Sequence, residues 1–161
     1  MNVRIERLRA AVAADRRAIA ARIAELQTCD PTRLQKDAAM CALVAVDLHY
    51  LYGAVEAILE RVARTIEGDL PEGRSWHREL LEEMGRPLEG VRPALLTAET
   101  VEGLRDLLGF RHFFRHAYAV ALDPDKLRTL REQALRVREP LRADLDALDV
   151  WLQALVTARS E

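Results

Sequence analysis

The sequence predicts an all-α protein, an antiparallel bundle of about five helices forming a single domain over residues 1–161. Two observations carry that class. Apolar residues recur at spacings of three, four or seven along most of the chain, and no stretch alternates with the period of two that a half-buried strand needs. The composition agrees: half of the residues are hydrophobic and 31% are charged, with only seven glycines and six prolines. That balance excludes a disordered or disulfide-rich chain. A chain of 161 residues is also long enough to bury a sizeable core.

The first helix is expected over about residues 2–27, with Ile5, Leu8, Val12, Ile19, Ile23 and Leu26 along one stripe. Asp30 and Pro31 then supply an N-cap and a first-turn proline for a long second helix, about residues 32–67. Its stripe is Cys41, Val44, Leu48, Tyr52, Val55, Leu59, Val62 and Ile66. After the loop GDLPEGR, a short helix over about residues 75–84 offers Trp76, Leu80, Leu81 and Met84. GRPLEGVRPALL has two glycines and two prolines and reads as irregular. Thr97 caps a fourth helix, in which Gly109 is a candidate bend. Asp123 and Pro124 open a fifth, running to about residue 158 on a leucine-rich stripe from Leu127 to Leu155, with a kink expected at Pro140.

The net charge of −2 is unevenly spread. Residues 105–142 carry nine basic and five acidic side chains, net +4, which leaves −6 for the rest. A polyanionic partner fits that asymmetry, and so does an ordinary solvated helix face. Cys29 and Cys41 have neither CxxC nor metal-type spacing and are expected to be free thiols. The start, MNVRIERLRA, lacks the apolar core of a signal peptide. The most apolar window, residues 38–59, is interrupted by Asp47, His49 and Glu56, so a buried helix is expected there and no membrane span. The expected location is the cytoplasm.

The chemistry concentrates in residues 110–118, FRHFFRHAY, which hold two of the four histidines and one of the three tyrosines. At about 100° per residue, Arg111, Arg115 and Tyr118 share one helix stripe and His112 and His116 the next. Phe110, Phe113, Phe114 and Ala117 cover the remaining directions and anchor the helix. Arginine presents a rigid fork of donors to phosphate oxygens, and histidine titrates near neutrality. Together they suffice for RNA cleavage without a metal: an imidazole takes the 2′-OH proton and arginine stabilises the charge gathering on phosphorus. Three other readings fit the same residues. One is a solvated helix with two satisfied histidines. The second is a metal site at the i, i+4 histidines, which lacks the HExxH glutamate and any evident third ligand. The third is a passive phosphate cradle that needs only the arginines.

Arg111, four residues, His116, one residue and Tyr118 resemble the R-x4-6-H motif of HEPN ribonucleases, and more closely the RX4HXY form of HepT-type toxins. The resemblance extends through YLYGAVEAILE at residues 50–60, the loop DLPEG, Trp76-His77 with LLEEM, and Arg92-Pro93, covering about residues 45–130. The first 30 residues match nothing specific. The resemblance implies a HEPN-type bundle that forms a homodimer, with the active site in a cleft between two copies of the motif helix. It implies a metal-independent endoribonuclease, needing no cofactor, whose antitoxin is a minimal nucleotidyltransferase. By the same resemblance Arg111 and His116 are catalytic, and Tyr118 is the tyrosine to which the antitoxin attaches AMP. His112 and Arg115 are supporting phosphate contacts, and His112 is an alternative base.

Outside the motif, Trp76 is expected in the core and His77 on a loop carbonyl, although His77 is also within reach of a cleft. Glu56 either faces water or orients Arg111 or a histidine. His49 and Tyr50 read as packing or partly exposed groups. The reading is thus a HepT-like ribonuclease toxin. Its alternatives are a non-catalytic helical module that partners a nucleotidyltransferase and cradles phosphate, and a plain dimerisation domain.

Overall fold

The computed structural model describes residues 2–116 and 121–158. Five α-helices follow one another: α1 Asn2–Thr28, α2 Ala38–Val62, α3 Trp76–Met84, α4 Ala98–His116 and α5 Pro124–Thr157. Among the described residues the only β-type pairing is a lone bridge between Leu88 and Arg92.

Cross-helix pairs set the directions. Arg22 meets Asp47 and Arg61 meets Asp15, so α1 and α2 are antiparallel. Arg9 pairs with Asp149, and Arg131 donates from α5 to the Leu26 carbonyl, so α1 and α5 are antiparallel too. His49 lies against Phe114 and Glu56 pairs with Arg111, which runs α4 antiparallel to α2. The all-α antiparallel bundle is therefore the observed class.

The stripes expected from spacing are the core. Ile5, Leu8, Val12, Ile19, Ile23 and Leu26 of α1 are buried, as are Cys41, Val44, Leu48, Tyr52, Val55, Leu59 and Val62 of α2. Stretch Ala38–Glu67 is long and apolar enough to cross a membrane by composition, yet its apolar face packs on α1, α4 and α5. Cys29 and Cys41 are free and buried.

Two boundaries differ from expectation. The long second helix begins at Ala38 instead of residue 32. Asp30 caps only a single 3-10 turn, Pro31–Arg33, and α2 has its own cap in Asp37, whose carboxylate accepts from the Met40 amide at 3.0 Å. The break turns Leu34 into the core, where its carbonyl accepts from the Cys41 thiol. At the other end α2 widens into a π turn, Ala63–Glu67, and stops at Gly68 with φ +94°. Glu67 there accepts from the buried Arg92, which also donates to the carbonyls of Glu83, Arg86 and Pro93. Arg92 thereby ties the irregular segment to α2 and α3.

Thr97 caps α4 as expected and is itself held by the buried Asp144 of α5. Helix α4 continues through Gly109 and α5 through Pro140. Gly103 is required by close packing, because a Cβ there would lie 2.7 Å from Val137 Cγ2 and 2.9 Å from Val137 Cβ. Gly103→Ala should accordingly destabilise the fold by about 1–3 kcal/mol despite alanine's better helix propensity, read as a lower urea midpoint.

Candidate functional site

The site is built at the seam between α2 and α4, and its centre is a carboxylate. Glu56 falls on the apolar side of α2 and is 2% exposed. Its Oε1 lies 3.1 Å from Arg111 Nη1, and its Oε2 lies 2.7 Å from His77 Nδ1. One buried anion thus holds the motif arginine from α4 and a histidine from the first turn of α3. A buried carboxylate is sustainable only when paired in this way. Arg111 passes over Gly53, one turn before Glu56, where a Cβ would sit 3.7 Å from Arg111 Nε, an ordinary packing distance.

Sequence expectations divide at this point. His77 bonds the Glu56 carboxylate and not a loop carbonyl, because the first turn of α3 is brought against α2 beside that buried anion. Trp76 is half-buried rather than fully in the core, with its ring stacked on His77 at 3.7 Å between centroids. Phe110 is buried and Phe114 stacks on it, but Phe113 is 37% exposed with Lys126 Nζ 5.3 Å from its ring, so only part of the apolar anchor is in place. Tyr50 is exposed, and His49 is half-buried against Phe114.

Arg111 and His116 do not meet within one chain. Arg111 turns inward, its side chain 17% exposed, while His112, Arg115 and His116 face solvent. Arg115 has no ion-pair partner among the described residues. Tyr118 lies outside the described residues. His116 Nδ1 is 2.8 Å from the His112 carbonyl oxygen, and the two rings lie 5.0 Å apart. A carbonyl only accepts, so Nδ1 carries the hydrogen. In the neutral ring Nε2 then bears the lone pair, exposed and fit to take a proton. His77 is fixed in the same way: Nδ1 donates to Glu56, leaving Nε2 as an acceptor when the ring is neutral and a donor when it is charged.

Three side chains at this seam bury a polar atom that has no hydrogen-bond partner among the described residues. Tyr52 is fully buried one turn before Glu56, and its hydroxyl has no partner. Burial foremost, and then the Glu56 charge, push that hydroxyl far up, so it stays protonated. His49 Nδ1 and Arg111 Nε are likewise buried without a partner. The signal for Tyr52 was present in the sequence, as the stripe residue four before a carboxylate.

Burial, followed by the nearby charges of Arg111 and Arg115, holds His49 below its ordinary 6.5. The unfolded chain therefore binds the extra proton first, and stability falls as the pH drops through that range. Melting temperature should fall between pH ~7.5 and pH ~5.5, and the fall should be smaller in His49→Leu.

No group of three or more His, Cys, Asp or Glu side chains able to hold a metal comes together among the described residues. A cleft of about 360 Å³ opens beside the seam between the start of α3 and the middle of α4, with His77 and His112 among its lining residues.

Known proteins bear on this geometry in one respect. No curated protein matches the sequence. A family described as HepT-like protein matches residues 43–152, which takes in most of α2, all of α3 and α4 and most of α5 and leaves out α1. The matched span contains Glu56, His77, Arg111, His112, Arg115 and His116, and over it the chain belongs to the HepT-like protein family.

Proposed function

We propose that this protein is a metal-independent endoribonuclease, the toxin of a HEPN and nucleotidyltransferase pair, acting as a homodimer. Family membership supports a HEPN toxin-type role. The observation that carries the chemistry is the His116 ring, whose Nδ1 is fixed on the His112 carbonyl so that an exposed Nε2 can serve as base.

In this reading His116 Nε2 takes the proton of a ribose 2′-OH, and the 2′ oxygen attacks the adjacent phosphorus. The bond from phosphorus to the 5′ oxygen breaks, and that oxygen leaves with a proton returned by an imidazolium. The products are a 2′,3′-cyclic phosphate and a 5′-hydroxyl end. Arginine donors stabilise the charge on phosphorus. Because positions five apart lie about 140° from each other on a helix, His116 and Arg111 face one phosphate only when two motif helices are apposed across a two-fold axis. AMP added to Tyr118 by the antitoxin would place a phosphate charge near the arginines and silence the site.

The test is incubation of the purified dimer with total RNA in EDTA, with intact mass recorded on the same sample to detect AMP on Tyr118. Cleavage leaving cyclic phosphate ends is the expected result. An unmodified dimer that leaves RNA intact overturns the reading. One observation favours a second reading. Arg115, exposed and without an ion-pair partner among the described residues, suits a phosphate cradle that partners a nucleotidyltransferase without catalysis, and that reading predicts nucleotide binding that survives His116→Ala.

A further inference from the structure

The cleft between α3 and α4 carries no role in the chemistry above. Arg74, Arg78 and Arg105 line it together with His77 and His112, and no carboxylate does. Arg105 is engaged by Glu82 and Glu102, whereas Arg74 and Arg78 have no ion-pair partner among the described residues. The N-terminal turn of α3 borders the cleft through Ser75, His77 and Arg78, and Ser75 makes no side-chain bond to the turn's amides, its hydroxyl being held by Glu79. The remaining wall is Leu108 and Gly109. A Cβ at Gly109 would meet nothing within 4 Å, so this wall is open enough for a flat group to approach α4. His112 lines the cleft and also lies beside His116, their rings tilted and 5.0 Å apart, which makes the cleft continuous with the motif face.

We propose that this cleft is a subsite for one nucleotide of the RNA strand flanking the scissile phosphate. Its phosphate sits on Arg74, Arg78 and the α3 N-terminus, and its sugar or base lies on Leu108 and Gly109. The volume suits a single nucleotide. A cationic rim over an apolar wall favours a nucleotide over an acidic peptide, which would leave that wall unused. His77 is a positioning residue here: Glu56 holds its Nδ1, which leaves Nε2 as the ring nitrogen available to a bound nucleotide. The assignment to RNA rests on the nuclease reading.

The test uses the full chain and a fluorescent 2′-O-methyl oligonucleotide, which cannot be cleaved, with anisotropy measured across salt concentrations. The Arg74→Ser, Arg78→Ser double variant should bind at least about tenfold more weakly, with a salt slope lower by about 0.7, the value for one phosphate no longer neutralised on a single strand. Gly109→Leu fills the cleft without a clash at Cβ and should weaken binding about tenfold with the slope unchanged. Wild-type affinity in both folded variants overturns the subsite and leaves the nuclease reading standing. Cleft-dependent binding by a protein that cleaves nothing supports the subsite and removes the nuclease. Absence of oligonucleotide binding, with the double variant losing only its hold on an acidic nucleotidyltransferase, overturns the proposal in favour of a protein partner.

Discussion

His116→Ala should lower RNA cleavage by about 10²–10⁴-fold, the contribution of a positioned proton-transfer group. The melting temperature should barely move, because the ring is exposed and its one bond stays within its own helix. That combination separates loss of a base from loss of the fold. His112→Ala is the informative companion. It removes the ring but keeps the backbone carbonyl that fixes the His116 tautomer, so cleavage should fall much less. A His112→Ala protein that is dead while His116→Ala remains active would reassign the base. Single-turnover cleavage of a defined RNA, beside thermal melts of the same samples, reads both quantities.

Glu56→Ala is expected to have the largest effect on stability. Removing the carboxylate leaves Arg111 and the His77 Nδ1 donor facing a buried space without an anion, a loss of about 3 kcal/mol when a buried pair is broken from one side. For a chain of this size that corresponds to a melting temperature lower by about 6–12 °C. Glu56→Gln keeps the shape and one acceptor oxygen but sets its amide NH2 against a second donor, so it should recover part of the loss while still leaving Arg111 without a counter-charge. The pair also fixes where the arginine points, so cleavage should fall in Glu56→Gln more than its remaining folded fraction explains. An Arg111→Ala, Glu56→Leu double variant tests the pairing directly. If the single losses arise from a stranded charge, the double variant should be more stable than Glu56→Ala.

How much of this could be read along the chain differs from element to element. The stripes of α1, α2 and α5 were legible because burial on a helix face follows a local period, and a local period is written in consecutive residues. Cap chemistry was legible for the same reason at Thr97 and Asp123. It misplaced the start of α2 because Asp30 and Asp37 both carry a competent carboxylate, and burial of Leu34 decides between them.

The motif helix shows the limit most clearly. Arg111 and Arg115 are one turn apart on one stripe, and nothing in their spacing tells them apart. The structure turns Arg111 inward over Gly53 onto Glu56 and leaves Arg115 in solvent. His77 and Glu56 are 21 positions apart, and their bond exists only because α3 folds back onto α2. By itself, then, the sequence determined the helices, their buried faces and the candidate residues of FRHFFRHAY. The tertiary structure alone decided which of those residues share a partner and which stay exposed. A side chain's face is set by its neighbours in sequence, but its counter-charge comes from whichever distant element the packing brings within about 3 Å.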